Sequence, residues 1–358
     1  MPDSLDVEVV DRLAGALGAP LTIGPQLSGS DRWIVVRATA GARALVIKHS
    51  RTRRFDWAAG TPEPNVTRFA SERAALEFFA ADPELAPLVP NLVLAHEATG
   101  TIVMDDLGVH PTLADVLLGA NRPLAEAQLR DLATLLGTVA RRSSVRLGDF
   151  RSERTFPAHL ALLQVRANVA RLDAPPAVAA ELVALCTELE APGAWGTVGP
   201  ADACPDNVLM TPTGLRLLDF EGATVYHALF DAATLTLPFP SCWCHDALPA
   251  ALRAELLDCY CDAYGRDDVA DELARVSIAW SAWVLTRHLG TMRESDFVFR
   301  PELVSGRQRV RAAVQTIAAV AAGATQDWAA RLDAELGAAW GESTDRRPLY
   351  PPFSGLSE

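Results

Sequence analysis

Residues 198–222 read Val-Gly-Pro-Ala-Asp-Ala-Cys-Pro-Asp-Asn-Val-Leu-Met-Thr-Pro-Thr-Gly-Leu-Arg-Leu-Leu-Asp-Phe-Glu-Gly. Two short apolar runs, Val208 to Met210 and Leu215 to Leu218, flank the turn-forming Thr211-Pro212-Thr213-Gly214. That pattern predicts a β-hairpin. A hairpin brings its ends together, so Asn207 and Asp219 become neighbours, with Asp202 in the loop that leads in. An amide oxygen and a carboxylate suit a hard cation such as Mg²⁺, which binds few protein groups and keeps water and phosphate in the rest of its shell. The second carboxylate, Asp202, is then free to accept a proton from a hydroxyl. Taken singly, each of these residues is also an ordinary turn or strand-end residue bonding local backbone. The spacing of all three around one hairpin favours the chemical reading.

Composition narrows the possibilities. The chain has 358 residues, room for one large or two ordinary domains. Its formal net charge of −13 argues against nucleic acid as a partner; an acidic face suits a cationic small molecule, though acidic surfaces also simply aid solubility. No apolar run reaches the eighteen or so residues of a membrane span. The acidic start, Met1 to Asp6, lacks a signal-peptide core, and the expected location is the cytoplasm. The six cysteines, Cys186, Cys204, Cys242, Cys244, Cys259 and Cys261, are therefore expected as reduced thiols. Two Cys-x-Cys pairs raise a zinc or redox alternative. Cys259 and Cys261 fall in a predicted helix, where residues two apart diverge and cannot easily share one metal, so no zinc is expected.

Of 32 basic residues one alone is lysine, Lys48. Codon bias can turn surface lysines into arginines at little cost. A position that keeps a compact ammonium is a functional candidate. Lys48 lies near the end of the third of three predicted strands, which begin at Leu21, Trp33 and Ala44, the third running to His49. The small-residue turn Leu27-Ser28-Gly29-Ser30-Asp31 separates the first two. A turn of this kind, followed by a strand with lysine, can lie over nucleotide phosphates and reach them with an ammonium. Arg51 to Thr67 reads as a mobile loop and Phe69 to Ala81 as a helix with Glu72 in its first turn. Strands follow at 92–95 and 101–104. After Gly108 the pattern turns helical: 112–118, 124–141, 157–172, 176–189, 248–264, 269–289, 301–322 and 326–340, with a Pro-containing tail over the surface. The expected architecture is α+β and two-lobed.

These residues resemble the aminoglycoside phosphotransferase and choline kinase family, small-molecule kinases with a protein-kinase-like fold, over roughly residues 20 to 290. That family carries His-Gly-Asp-x-x-x-x-Asn, a hairpin, then Asp-Phe or Asp-Trp. Here the match is Pro200-Ala201-Asp202 through Asn207, then Asp219-Phe220-Glu221, with Pro200 and Ala201 in place of His and Gly. The resemblance implies Asp202 as catalytic base, Asn207 and Asp219 as Mg²⁺ ligands, and Lys48 on the α/β-phosphates of ATP or GTP, oriented by Glu72. It also implies Ser28, Gly29 and Ser30 over the nucleotide, and Met104 and Asp105 at the adenine edge. A solvated helix glutamate remains the alternative for Glu72, and loop solvation for the Asp105 and Asp106 side chains. Asp231 is expected to support the catalytic loop. The implied lobes are residues 1–104 and 109–358, joined by a hinge at 105–108. The implied activity is transfer of the γ-phosphoryl group to a hydroxyl of an antibiotic, sugar or amino alcohol. The alternative, motivated by Pro200, is a degenerate kinase that binds nucleotide without catalysis.

Overall fold

The computed structural model describes residues 5–51, 64–151, 154–237, 239–298, 303–345 and 347–356. Helix α1 (Val7–Leu17) starts where the Asp6 carboxylate accepts the Glu8 amide and stops at Gly18, whose positive φ ends the helix. Its apolar side covers a sheet built from β1 (Leu21–Gly29), β2 (Trp33–Ala40) and β3 (Arg43–Ser50). Helix α2 (Pro64–Ala80) follows, then β4 (Leu92–His96) and β5 (Thr101–Asp105). The five strands are antiparallel in the order β1-β2-β3-β5-β4. Leu13, Val36, Leu45, Ile47 and Val103 form the small core between α1 and the sheet.

The second lobe is helical. It comprises α3 (Leu113–Leu117), α4 (Arg122–Ser144), α5 (Leu160–Asn168), α6 (Pro176–Leu189), α7 (Leu229–Thr236), α8 (Ala250–Tyr264), α9 (Ala270–Glu294), α10 (Gly306–Val320) and α11 (Gly323–Trp340). Between α6 and α7 lie β6 (Gly196–Val198), the hairpin β7 (Val208–Thr211) and β8 (Gly214–Leu217), and β9 (Val225–His227). The hairpin register is the expected one, Val208 opposite Leu217 and Thr211 opposite Gly214. The architecture is thus the expected α+β arrangement of a small antiparallel-sheet lobe and a larger helical lobe. No helix among the described residues is long and apolar enough to cross a membrane.

Several local expectations need correction. Strand β1 runs through Leu27, Ser28 and Gly29, so the turn is only Ser30-Asp31-Arg32. Two register shifts in β1 let it pair so far along β2, the irregular strand that periodicity misses. Helix α2 starts at Pro64, and Glu72 lies well inside it instead of in its first turn; Pro fits the start of a helix, where its missing N–H costs nothing. Of the expected loop before it, residues 52–63 lie outside the described residues. The tail does more than wrap the surface. Tyr350 and Phe353 are fully buried, and the Tyr350 hydroxyl donates to the Cys244 carbonyl at 2.6 Å.

The lobes meet through side chains that the sequence places far apart. Phe79 of α2 packs on Phe220, just beyond β8, with ring centroids 5.1 Å apart. Asp82, buried past the end of α2, accepts from Arg142 at 2.8 Å and lies 3.1 Å from Arg146. In spite of its burial these partners and two backbone amides hold its pKa down to about 2. Helix α4 crosses α8 at Gly137, where an added Cβ would fall 2.4 Å from the Tyr260 carbonyl oxygen and 2.8 Å from Ala263 Cβ. Alanine is the better helix former by about 1 kcal/mol, but overpacking against backbone costs about 1–3 kcal/mol. Gly137→Ala should therefore lower the thermal midpoint in calorimetry, whereas an unchanged or raised midpoint would show that α4 and α8 can separate freely.

Candidate active site

The site forms where β3, α2 and the hairpin converge. Lys48 is 6% exposed and Glu72 1%, so both have left water and need partners. Lys48 Nζ lies 2.6 Å from Glu72 Oε2 and 2.6 Å from Asp219 Oδ1. A third carboxylate, Glu221, stands 3.7 Å away. Burial opposes the ammonium, but Asp219, Glu72 and Glu221 outweigh it and raise the Lys48 pKa, so it stays charged. Burial likewise works against the Asp219 carboxylate, and Lys48 overrides it to hold its pKa below the ordinary value. Glu221 also accepts from Arg68 at 2.7 Å and lies 3.4 Å from Arg32, so the cluster is a network of several charges of both signs. The pairing of Lys48 with Glu72 excludes the reading of Glu72 as a solvated helix glutamate.

The hairpin joins its ends as its turn chemistry requires. The Leu218 amide donates to the Asn207 carbonyl at 2.8 Å, which sets Asn207 beside the residue preceding Asp219. Asn207 Nδ2 donates to the Asp202 carbonyl at 3.4 Å, leaving its Oδ1 as the group to offer a cation. Asp219 takes a left-handed backbone, φ 62°, just beyond the hairpin, and its Oδ1 reaches the Lys48 ammonium. An amide oxygen and a carboxylate oxygen at one hairpin mouth match the donors that a hard cation prefers.

Asp202 stands at the solvent-facing mouth of the same cleft. Its Oδ1 accepts from the Ser241 hydroxyl at 2.7 Å. Surrounding protein pushes its pKa up to about 6; the Ser241 bond pulls downward, and the charges of Asp219, Asp206 and Glu221 add to the rise. The residue before it, Ala201, has φ 56°, a conformation that glycine adopts far more easily. Both backbone groups of Ala201 are held. Its N–H donates to the Tyr226 hydroxyl at 3.2 Å, and its carbonyl lies 2.9 Å from His159 Nε2. Tyr226 in turn donates to Asp231 at 2.6 Å. Burial lowers the His159 pKa to about 4, so the ring is neutral, and it stacks on Phe230 at 4.1 Å. Burial also pushes the Asp231 carboxyl up to about 7. Gly199 must be glycine here, since a Cβ would come within 2.4 Å of the Tyr226 hydroxyl.

The remaining expected residues sit around this centre. Ser28 pairs with Val35, and Val35 with Lys48, so the three lie in one row across β1, β2 and β3. Gly29 follows at the strand end. Ser30 Oγ accepts the Arg32 and Trp33 amides at 3.2 Å, an ordinary turn stabilised by its own serine. Met104 pairs across β5 with Val46 and Leu92. The Asp105 and Asp106 side chains do more than solvate a loop: Asp105 accepts from Arg43 at 2.9 Å and Asp106 from Arg37 at 2.8 Å. Their amide N–H groups are engaged too, with Asn91 and Ala44 carbonyls. The thiol expectation also fails in part, because Cys204 and Cys242 form a disulfide, while Cys186, Cys244, Cys259 and Cys261 are free. Sequence reasoning missed His159, Tyr226 and Ser241, which reach the loop from segments 25 to 42 residues away in the chain.

Tyr226→Phe removes the hydroxyl and leaves the Ala201 amide and Asp231 unpaired in a buried place. The expected loss is about 1–3 kcal/mol of folding free energy. Denaturant unfolding should show a lower midpoint with unchanged slope; no change would mean that Ala201 is held without Tyr226.

Residues 28–276 match the model of a family described as the phosphotransferase enzyme family. A comparison with curated protein sequences finds no match. Among solved structures, the choline kinase LicA from Streptococcus pneumoniae aligns over 87% of this chain and 98% of its own, at 14% identity and a TM-score of 0.53. A thermostable mutant of aminoglycoside phosphotransferase APH(4)-Ia, in ternary complex with ADP and hygromycin B, aligns over 88% and 100%, at 12% identity and a TM-score of 0.55. The macrolide 2'-phosphotransferase MphH from Brachybacterium faecium aligns over 88% and 98%, at 16% identity and a TM-score of 0.51. At such identities these likenesses establish the protein-kinase-like fold; the match over residues 28–276 goes further, and by it the chain belongs to the phosphotransferase enzyme family.

Proposed function

We propose that this protein is a small-molecule kinase that moves the γ-phosphoryl group of ATP or GTP to a hydroxyl of an antibiotic, sugar or amino alcohol. The observation that carries the proposal is Lys48, held between Glu72 and Asp219 at 2.6 Å from each, in the cleft that Asp202 faces. Phosphoryl transfer needs little covalent help from protein. It needs the reacting groups positioned and the phosphate charge neutralised. In this reading nucleotide phosphates compete with Asp219 for the Lys48 ammonium, while Glu72 keeps the ammonium in place. Asn207 and Asp219 hold Mg²⁺, which when bound neutralises phosphate charge. Ser28, Gly29 and Ser30 lie over the phosphates, and the backbone of Met104 and Asp105 borders the base, with residues 105–108 as the hinge between lobes 1–104 and 109–358.

Asp202 accepts the hydroxyl proton of the acceptor. A pKa near 6 leaves it mostly ionised at neutral pH and more basic than an ordinary aspartate, which suits a proton acceptor. Retention of Asp202, Asn207, Asp219, Lys48 and Glu72 speaks against a degenerate kinase, and the hold on Ala201 supports an ordered loop in spite of Pro200. The net charge of −13 suits a cationic acceptor.

The wild-type protein is expected to hydrolyse MgATP slowly without acceptor. Asp202→Asn should reduce that rate by about 100-fold while leaving nucleotide affinity intact. As the base must be ionised, the rate should rise with pH through about 6 and level off above it. Ser241→Ala removes a bond that favours the carboxylate, so the rising limb should move to higher pH. Equal hydrolysis by wild type and Asp202→Asn would sink the assignment of Asp202 as the proton acceptor.

A further inference from the structure

The catalytic loop is fastened to one short segment at three alternate positions. Asp202 accepts from Ser241 at 2.7 Å, Cys204 is bonded to Cys242, and Asp206 accepts from the Trp243 indole at 2.8 Å. Residues 202, 204 and 206 thus meet 241, 242 and 243 in order. The segment itself is anchored from behind, where Arg309 donates to the Cys242 carbonyl at 2.9 Å and Tyr350 to that of Cys244. A third sulfur, Cys244 Sγ, lies 3.1 Å from Cys242 Sγ. Nothing in phosphoryl transfer calls for three sulfurs one to three residues from the proton acceptor or its serine partner.

We propose that the Cys204–Cys242 disulfide is a reducible clasp on the catalytic loop, closed by oxidation and opened by a dithiol reductant. Closed, it holds the loop against the Ser241 segment and fixes Asp202 under the Ser241 hydroxyl. To open it, a reductant thiolate attacks Cys204 Sγ, Cys204 being the less deeply buried of the two residues at 7% exposure against 1%, and the Cys242 thiolate leaves and takes a proton. The second reductant thiol then attacks the mixed disulfide and expels the Cys204 thiolate, which is protonated in turn. Two electrons and two protons pass to the protein, and the dithiol becomes a disulfide. While the clasp is closed, burial and the Asp206 charge push the Cys244 thiol up to about 12, so it stays protonated and does not attack the bond beside it.

The test compares full-length protein purified without reductant, the same protein treated with dithiothreitol, and the variants Cys204→Ala, Cys242→Ala and Cys259→Ala. Peptide mapping after alkylation under denaturing conditions should show a linked Cys204–Cys242 peptide before reduction and two alkylated cysteines after it. Amide hydrogen exchange of residues 200–209 should become about tenfold faster on reduction and in both clasp variants, and stay unchanged in Cys259→Ala. MgATP hydrolysis should fall about tenfold in parallel. Only this last readout rests on the kinase reading. Linkage and loop release without hydrolysis in either state would refute the kinase and leave the clasp standing. The clasp is overturned if all six cysteines are free in the unreduced protein, or if loop exchange is the same in both states. It is also overturned by one equivalent of bound zinc that Cys204→Ala abolishes, since the Cys204 and Cys242 sulfurs and an Asp206 oxygen lie within 4.8 Å of one another and could ligate a metal instead.

Discussion

The site depends on one buried ammonium. Lys48 comes from the sheet, Glu72 from α2, and Asp219 and Glu221 from the segment after the hairpin in the helical lobe. Lys48 and Glu72 could not stay charged in so enclosed a place without partners, because a buried unpaired charge is very costly. The cluster ties the two lobes together across the cleft, and on the proposed function it also keeps ready the positive charge that phosphates require. Arginine could not occupy this position in the same way, since a planar guanidinium does not present one compact charge to three carboxylates. That accounts for a lysine surviving here in a chain whose other basic residues are all arginine.

The loop that carries Asp202 is held in space by residues distant in sequence. Position 200 is proline and position 201 an alanine in a left-handed conformation, yet the loop is held by backbone bonds from elsewhere. His159, at the N-terminus of α5, takes the Ala201 carbonyl, and Tyr226, in β9, takes its amide. Asp231 closes the network from α7. Buried polar groups that are all satisfied rigidify their surroundings, and here they fix the peptide next to Asp202. Ser241 then sets the direction and acidity of the carboxylate itself.

Much of this was legible in the sequence, and the limits were physical. Thr211-Pro212-Thr213-Gly214 between two apolar runs determined the hairpin, and with it the meeting of Asn207 and Asp219. Lys48 stood out by composition alone. Its partner Glu72 was legible only through a family resemblance, because helical periodicity does not say what a glutamate faces. Strand β1 was read too short, since its two register shifts break the alternation on which strand reading relies. His159, Tyr226 and Ser241 were invisible because they contribute through packing between distant segments, and no spacing rule links them to Ala201 or Asp202. The disulfide was missed for a similar reason: its cysteines are 38 residues apart, and no spacing rule links them.

On the proposed function, the Lys48 cluster is a nucleotide-phosphate site. The most direct test is calorimetric titration of the protein with MgATP, beside Lys48→Arg and Asp219→Asn. Wild type should bind with Mg²⁺ dependence, Asp219→Asn should lose that dependence, and Lys48→Arg should bind at least about tenfold more weakly although its charge is kept. Equal affinity in all three proteins, or no binding by wild type at millimolar nucleotide, would contradict the claim.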